Sequence, residues 1–519
     1  MLSLVAWLMS PEAVACGGFF CNNVAPVDQA GERILFAVDP ASGELEMHVQ
    51  VAYEGPTEEF SWILPVPSEP EVFLSVDDAF QRLAAATNPT FVPTTVTIGS
   101  CGGGRFSVPM AAEDSATGGD GGGVTVEAEL QVGPYDTQLL TATDATTLVT
   151  WLTENGYDLP EGAAEKIAPY VAAGGWFVGL KLQKDRGTGD LAPIGLRFAD
   201  ADPTIPLQLT AVAARPDMPL QPFVLGPARA VPENYLHVQI NQLAVDWLNG
   251  AANYPSVITR AADEAGGQAF ATDYAGNTAD LGVTLWRQGQ YPLAEVAAAD
   301  DALDVAPLLM SLGYIFPGDT SWQGEPMFPV SSGTIPILKR HIPKVGRGRQ
   351  VDDANYYGCL SCYLRAGEVT VDGEALAADL QASWVEPMKR VQEIVEDNPW
   401  LTRMTSSLSA EEMTVDPRFV FNADLGPVEA ARQATLEVYC RGTREFSDAP
   451  RALVLPDGRT LDLPSVNEWA EEGWTWEAWI GAVGEHAAEV IEQVGRSGQP
   501  TVLTRSEEHT SELQSPCNL

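Results

Sequence analysis

Two segments near the N-terminus alternate apolar and polar positions. In GERILFAVD, Ile34, Phe36 and Val38 alternate with Arg33, Leu35 and Ala37. In ELEMHVQVAYEG, Leu45, Met47, Val49, Val51 and Tyr53 alternate with Glu46, His48, Gln50 and Ala52. A period of two predicts half-buried strands, joined by a turn at Asp39-Pro40-Ala41-Ser42-Gly43. Phe60, Trp62 and Leu64 extend the pattern to a third strand. Val76, Ala79, Phe80 and Leu83 then switch to helical spacing, with Ser75 as N-cap and Asp78 completing a capping box. MAAEDSATGGDGGG, residues 110–123, reads as a flexible loop. Further strands are expected at 124–132, 176–182, 194–198 and 207–213. One helix is expected from Asp144 through Leu148, Trp151 and Leu152 to Gly156, and another from Pro160 to Gly174-Gly175.

The C-terminal part changes character. Residues 375–395 have helical composition with a kink at Pro387. Trp476, Trp479, Ile480, Val483, Ala487, Val490, Ile491 and Val494 recur at helical spacing, which predicts one amphipathic helix over 475–494. The expected class is therefore α+β, with β-rich antiparallel sheets, inserted helices and a more helical C-terminal region. A chain of 519 residues exceeds the about 250–300 that one core supports, so two or more domains are expected. The proposed division is a signal peptide at 1–15, a β-rich α+β domain at 16–345 and a more helical region at 346–504.

Both ends read as something other than fold. Leu2 to Met9 is a short apolar run, and Ala13-Val14-Ala15 fits a small-x-small cleavage site, although no Lys or Arg precedes it. Eight apolar residues fall short of the about 20 that a membrane-spanning helix needs, so secretion is the expectation. Residues 505–519, RSEEHTSELQSPCNL, carry the translation of one frame of a common sequencing adapter and are read as non-native. The native C-terminus is then missing, and a membrane anchor would have a place only there.

Charge changes the partner list. With 71 acidic against 29 basic residues the net charge is −42. Such a surface repels nucleic acid, so no nucleic-acid partner is expected, while an envelope or extracellular partner remains open. Setting aside Cys517, six cysteines remain: Cys16, Cys21, Cys101, Cys359, Cys362 and Cys440. An even count in a secreted chain predicts disulfides, and Cys16 with Cys21 is the favoured local pair. Lipidation of Cys16 is the alternative. Cys359-Leu360-Ser361-Cys362 is read as a structural disulfide before a redox pair or half a zinc site.

Reaction signatures are sparse. The sequence has no H-E-x-x-H, no G-x-S-x-G, no phosphate loop and no dinucleotide fingerprint, so catalytic residues are unassigned and no metal or cofactor is expected. His48 and His237 are expected to be solvated on their strands, His486 lies on the predicted last helix, and no spacing among these and His341 marks a triad or zinc site. Lys339, Arg340, Lys344, Arg347 and Arg349 form the one basic cluster, read as neutralising the chain's own carboxylates before docking an anion. Trp469, Trp474, Trp476 and Trp479 are read as packing before sugar stacking.

The segments ACGGFFC, VDQAGERILF, QVGPYDTQLL, WLTENGYDLP, GTGDLAPIGLRF, ANYYGCLSCY and WLTRMTSSLSAEEMTVDPRFVFN resemble domain-of-unknown-function family 2330 of bacteria, from Cys16 to about Asn422. The resemblance implies a secreted or envelope-associated protein, membrane-anchored in some members, and implies no catalytic residues. The leading reading is a non-enzymatic, disulfide-stabilised envelope or extracellular protein with a structural or binding role. An extracellular hydrolase using paired carboxylates is the alternative. A thiol oxidoreductase at Cys359 and Cys362 is a third.

Overall fold

The computed structural model describes residues 28–39, 42–54, 61–99, 121–123, 125–157, 162–183, 191–199, 202–315, 333–443 and 445–505. Ten strands make one sheet: β1 Asp28–Val38, β2 Glu44–Glu54, β3 Glu71–Leu74, β4 Ile194–Ala199, β5 Met218–Gly226, β6 Leu236–Ile240, β7 Ala269–Asn277, β8 Trp400–Leu408, β9 Ala488–Gln493 and β10 Thr501–Arg505. Their spatial order is β10-β9-β6-β7-β8-β5-β1-β2-β4-β3. β1 runs parallel to β5 and β6 parallel to β7. The remaining neighbours are antiparallel, so the sheet is mixed. The class is α+β.

Both faces of the sheet centre are covered, which is why Ile34 to Val38 is a near-continuous apolar run. Ile34 and Phe36 join Leu45, Met47 and Val49 in a core shared with a four-stranded sheet (Ser61–Val66, Thr125–Val132, Tyr135–Thr141 and Trp176–Leu182). Leu35 and Ala37 join a second core with α1 Asp77–Thr87, α3 Gly373–Leu380 and α4 Glu386–Asp397; α2 is Tyr254–Glu264. Phe80, Leu83, Leu376, Leu380, Met388 and Val391 are buried there. Each such side chain stabilises by about 1.5–3 kcal/mol. A third core joins β6 and β7 to α2, Trp247 and a C-terminal four-stranded sheet, with Val238, Ala271, Ile258, Leu453 and Trp476 inside.

Several expected elements form as read. Asp144 caps the helix Ala145–Glu154 through Thr147 N at 2.8 Å. The helical stretch 375–395 forms, but its interruption is a π-turn over Gln381–Val385 rather than a kink at Pro387, which lies in the first turn of α4. Others differ. Residues 207–213 are not a strand: Leu207–Thr210 is a short helix followed by turns. Ser75 does not cap α1, whose N-cap is Val76 without a side-chain bond, because the Ser75 hydroxyl is engaged by His48. The 475–494 helix ends after Trp476–Ile480 at a 3-10 turn carrying Gly481 and Gly484, and the chain then becomes β9. Ala488, Val490 and Glu492 are buried at alternate positions there, a period of two within a stretch that also satisfies helical spacing.

Strands from the segments before and after residue 345 thus interleave in one sheet. β10 ends at Arg505, opposite Val490. Phe60, Pro160 and the loop at 110–120 lie outside the described residues. Among the described residues no helix is long and apolar enough to cross a membrane.

Candidate functional site

Two histidines read as solvated are buried, and each is the middle of a polar chain. His48 is 1% exposed. Its Nδ1 lies 2.7 Å from Ser75 Oγ and its Nε2 3.0 Å from Glu46 Oε1. Arg390 also binds Glu46, with Nε to Oε1 at 2.9 Å and Nη2 to Oε2 at 3.0 Å. Phe73 closes this network, edge-on to His48 and 3.3 Å beneath the Arg390 guanidinium. Burial would push the Glu46 carboxyl up, but the hydrogen bonds and charges of His48 and Arg390 outweigh it and bring it down to about 2.

The second chain opens on a cleft. His237 of β6 sits opposite Glu492 of β9 in the ladder. His237 Nδ1 is 2.8 Å from Glu492 Oε1, and Nε2 is 2.8 Å from Thr272 Oγ1 on β7. Gln239 Nε2 donates to both Glu492 oxygens at 3.2 Å. Burial opposes ionisation of Glu492, but the His237 bond and charge, Gln239 and the nearby Arg229 prevail and hold its carboxyl below its ordinary value. An ionised Glu492 only accepts, so the neutral imidazole tautomer that fits this geometry carries its proton on Nδ1. Its Nε2 then accepts from the Thr272 hydroxyl.

Two arginines approach Thr272, one at its hydroxyl and one at its carbonyl. Arg229 Nη2 donates to Thr272 Oγ1 at 3.3 Å and its Nη1 to Gly426 O at 3.3 Å. Its Nε is buried with no hydrogen-bond partner among the described residues. Burial pulls this guanidinium below its ordinary value, against the pull of Glu492. Arg432 Nη2 donates to the carbonyls of Thr272 (3.2 Å) and Asp273 (2.9 Å). These groups line a cleft of about 700 Å³, whose far wall includes Arg459, Asp457, Glu489 and the Leu425–Val428 loop. Arg459 is neutralised by Asp457 (2.7 Å) and Glu489 (2.6 Å). β7 bulges at the site: Thr272 pairs with Met404 and Tyr274 with Arg403, so Asp273 is the extra residue. Asp273 is fully buried and takes a 2.6 Å bond from Tyr254 on α2 and a 3.4 Å ion pair from Arg403.

The residues singled out in the sequence lie elsewhere. Cys359 and Cys362 form a disulfide, both sulfurs buried. Cys440 is disulfide-bonded, while Cys16, Cys21 and Cys101 lie outside the described residues. In the basic cluster, Lys339 and Lys344 both pair with Asp353, and Arg340 clamps Asp379 at 2.6 and 2.7 Å. Arg347 donates to Cys362 O and Arg349 to Lys344 O. His341 shares Asp379 at 2.9 Å. His486 lies in the turn before β9, not on a helix, 3.9 Å from Glu264. Trp476 is buried and donates to Leu243 O at 3.2 Å, and Trp479 to Asp462 O at 2.8 Å. Trp469 and Trp474 line a separate cleft of about 650 Å³. Thr272, Arg229, Arg432 and Glu492 carried no signal in the sequence, since none belongs to a motif and the fold alone assembles them. Among the described residues no group of His, Cys, Asp or Glu is placed to hold a metal ion.

The fold and site define an α+β protein with a mixed sheet and a polar cleft over the strands that carry His237, Thr272 and Glu492. The chain belongs to the DUF2330 family, an uncharacterized protein conserved in bacteria, whose profile matches residues 10–313. His237 and Thr272 fall inside that match and Glu492 beyond it. No curated protein and no solved structure matches the chain.

Proposed function

We propose that this is a secreted or envelope-associated binding protein whose His237 cleft takes a small ligand bearing a carboxylate or phosphate. One observation carries the reading. In a chain of net charge −42, Arg229 and Arg432 both face this cleft with no carboxylate in ion-pair distance among the described residues. A guanidinium held by neutral carbonyl and hydroxyl oxygens keeps its charge for a carboxylate or phosphate. The cleft volume also falls within the about 300–1,000 Å³ usual for small-molecule sites. Extracytoplasmic residence is supported by the N-terminal apolar run and the bonded cysteines.

The carboxylates whose pKa is raised, Asp246, Asp263, Glu412 and Asp416, do not line this cleft, so it gives the paired-carboxylate reading no acid of the needed kind. Thermal melting tests the binding reading. Inorganic phosphate or citrate should raise Tm saturably over chloride at equal ionic strength, and Arg229→Gln with Arg432→Gln should abolish the rise. Equal melting in all three salts would defeat the reading.

A further inference from the structure

We propose that Thr272 is a nucleophile and that the cleft hydrolyses a small carboxylic ester. This rests on the cleft being a binding site and adds a reaction to it.

The geometry has the parts that acyl transfer needs. A hydroxyl lies 2.8 Å from an imidazole nitrogen, and the other ring nitrogen lies 2.8 Å from a carboxylate that holds the tautomer. The proton order derived above makes Thr272 the donor and His237 Nε2 the acceptor, which is the direction a general base requires. Arg229 donates to the same Oγ1 at 3.3 Å, which favours the alkoxide character that develops on attack, and its Nε lacks a partner. The bulge at Asp273 re-aims β7 at this point, a device common beside reactive side chains.

The Ser75–His48–Glu46 chain offers a comparison inside one molecule. There the carboxylate is clamped on both oxygens by Arg390, and the serine is 1% exposed and borders a cavity of only about 130 Å³. Thr272, 8% exposed, borders a cleft of about 700 Å³.

The step balances as follows. Thr272 Oγ1 bonds to the ester carbonyl carbon while its proton passes to His237 Nε2, and the carbonyl π pair moves onto oxygen beside Arg229. The pair returns, the C–O bond to the leaving alcohol breaks, and His237 gives its proton to that alkoxide. Water, deprotonated by the same Nε2, then attacks the acyl-threonine and releases the acid with Thr272 restored. The net change is ester plus water to acid plus alcohol. Thr272, His237 and Arg229 touch the reacting atoms, and Glu492 positions and charge-stabilises His237.

The test uses the full chain, a fluorophosphonate and p-nitrophenyl acetate. Intact mass and peptide mapping should find one phosphonyl adduct on Thr272. Thr272→Ser should keep or raise the labelling rate, because the primary hydroxyl is less hindered. Thr272→Ala should lose labelling, and His237→Gln should lose about 100-fold in rate. Glu492→Gln should lower kcat for ester hydrolysis by a much larger factor than it changes KM, a split that a merely structural role would not give. No adduct on either wild type or Thr272→Ser, with phosphate still stabilising both, would overturn the nucleophile and leave the binding reading standing. An adduct on Ser75 would overturn it equally.

Discussion

Glu46 shows how one buried carboxylate can set an acid limit for the whole chain. Its pKa is held at about 2 by His48 and Arg390 against the effect of burial. A depressed folded value means the stabilisation is complete above the ordinary carboxylate range and is lost as pH falls toward about 2. The amount is on the order of 3 kcal/mol. Urea unfolding from neutral pH down to about pH 3 should show wild type losing stability steeply, while Glu46→Gln, less stable at neutrality, loses less over that interval. Parallel curves would mean that Glu46 is not the group responsible. This residue, like His48, was placed on a solvated face by alternation alone. The alternation was read correctly and its consequence was not, because the second sheet face is covered by α3 and α4, about 330 residues away along the chain. His237 differs for another long-range reason: Glu492 and Thr272 reach it only through strand pairing.

At the scale of elements, the local cap at Asp144 held and the one expected at Ser75 did not, since His48 takes that hydroxyl, and helical spacing failed where two periods coincide. Asp144 and its helix were legible because the cap, the start and the first turn lie within four residues. The segment 475–494 satisfied helical spacing, yet Gly481 and Gly484 end the helix and β6 offers a ladder that captures Ala488–Gln493. Close packing between elements was invisible in sequence. Gly226 ends β5 against the strand Phe419–Asn422, where an added Cβ would lie 2.1 Å from the Phe421 ring. Gly226→Ala should therefore cost about 1–3 kcal/mol in denaturant unfolding, and pairing it with Phe421→Leu should recover part of that loss. Strand pairing also constrains the cysteines. Thr94–Ile98 lies parallel to Thr435–Tyr439, and Cys440 N donates to Ile98 O at 2.9 Å. Cys101 follows Ile98 by three residues, so non-reducing peptide mapping should find Cys440 linked to Cys101. A link from Cys440 to Cys16 or Cys21 would contradict it.

For the whole molecule the dominant fact is charge. Seventy-one acids against 29 bases leave a net −42, so the compact state repels itself, and exposed ion pairs such as Arg197–Glu71 and Arg496–Asp202 return little, about 0–1 kcal/mol each. Salt screens both effects, but the repulsion is summed over many unpaired carboxylates and the attraction over few pairs. Raising sodium chloride from about 0.01 M to about 1 M shrinks the screening length from roughly 30 Å to roughly 3 Å, so Tm should climb through that range. The buried contacts Glu46–Arg390 and His237–Glu492 lie out of reach of that screening and should not offset the climb. The Arg229→Gln, Arg432→Gln protein separates this general effect from anion capture in the cleft. It should show the same chloride slope as wild type while losing the additional rise with phosphate. A Tm that falls with chloride would mean that paired charges, not net repulsion, govern the stability of this fold.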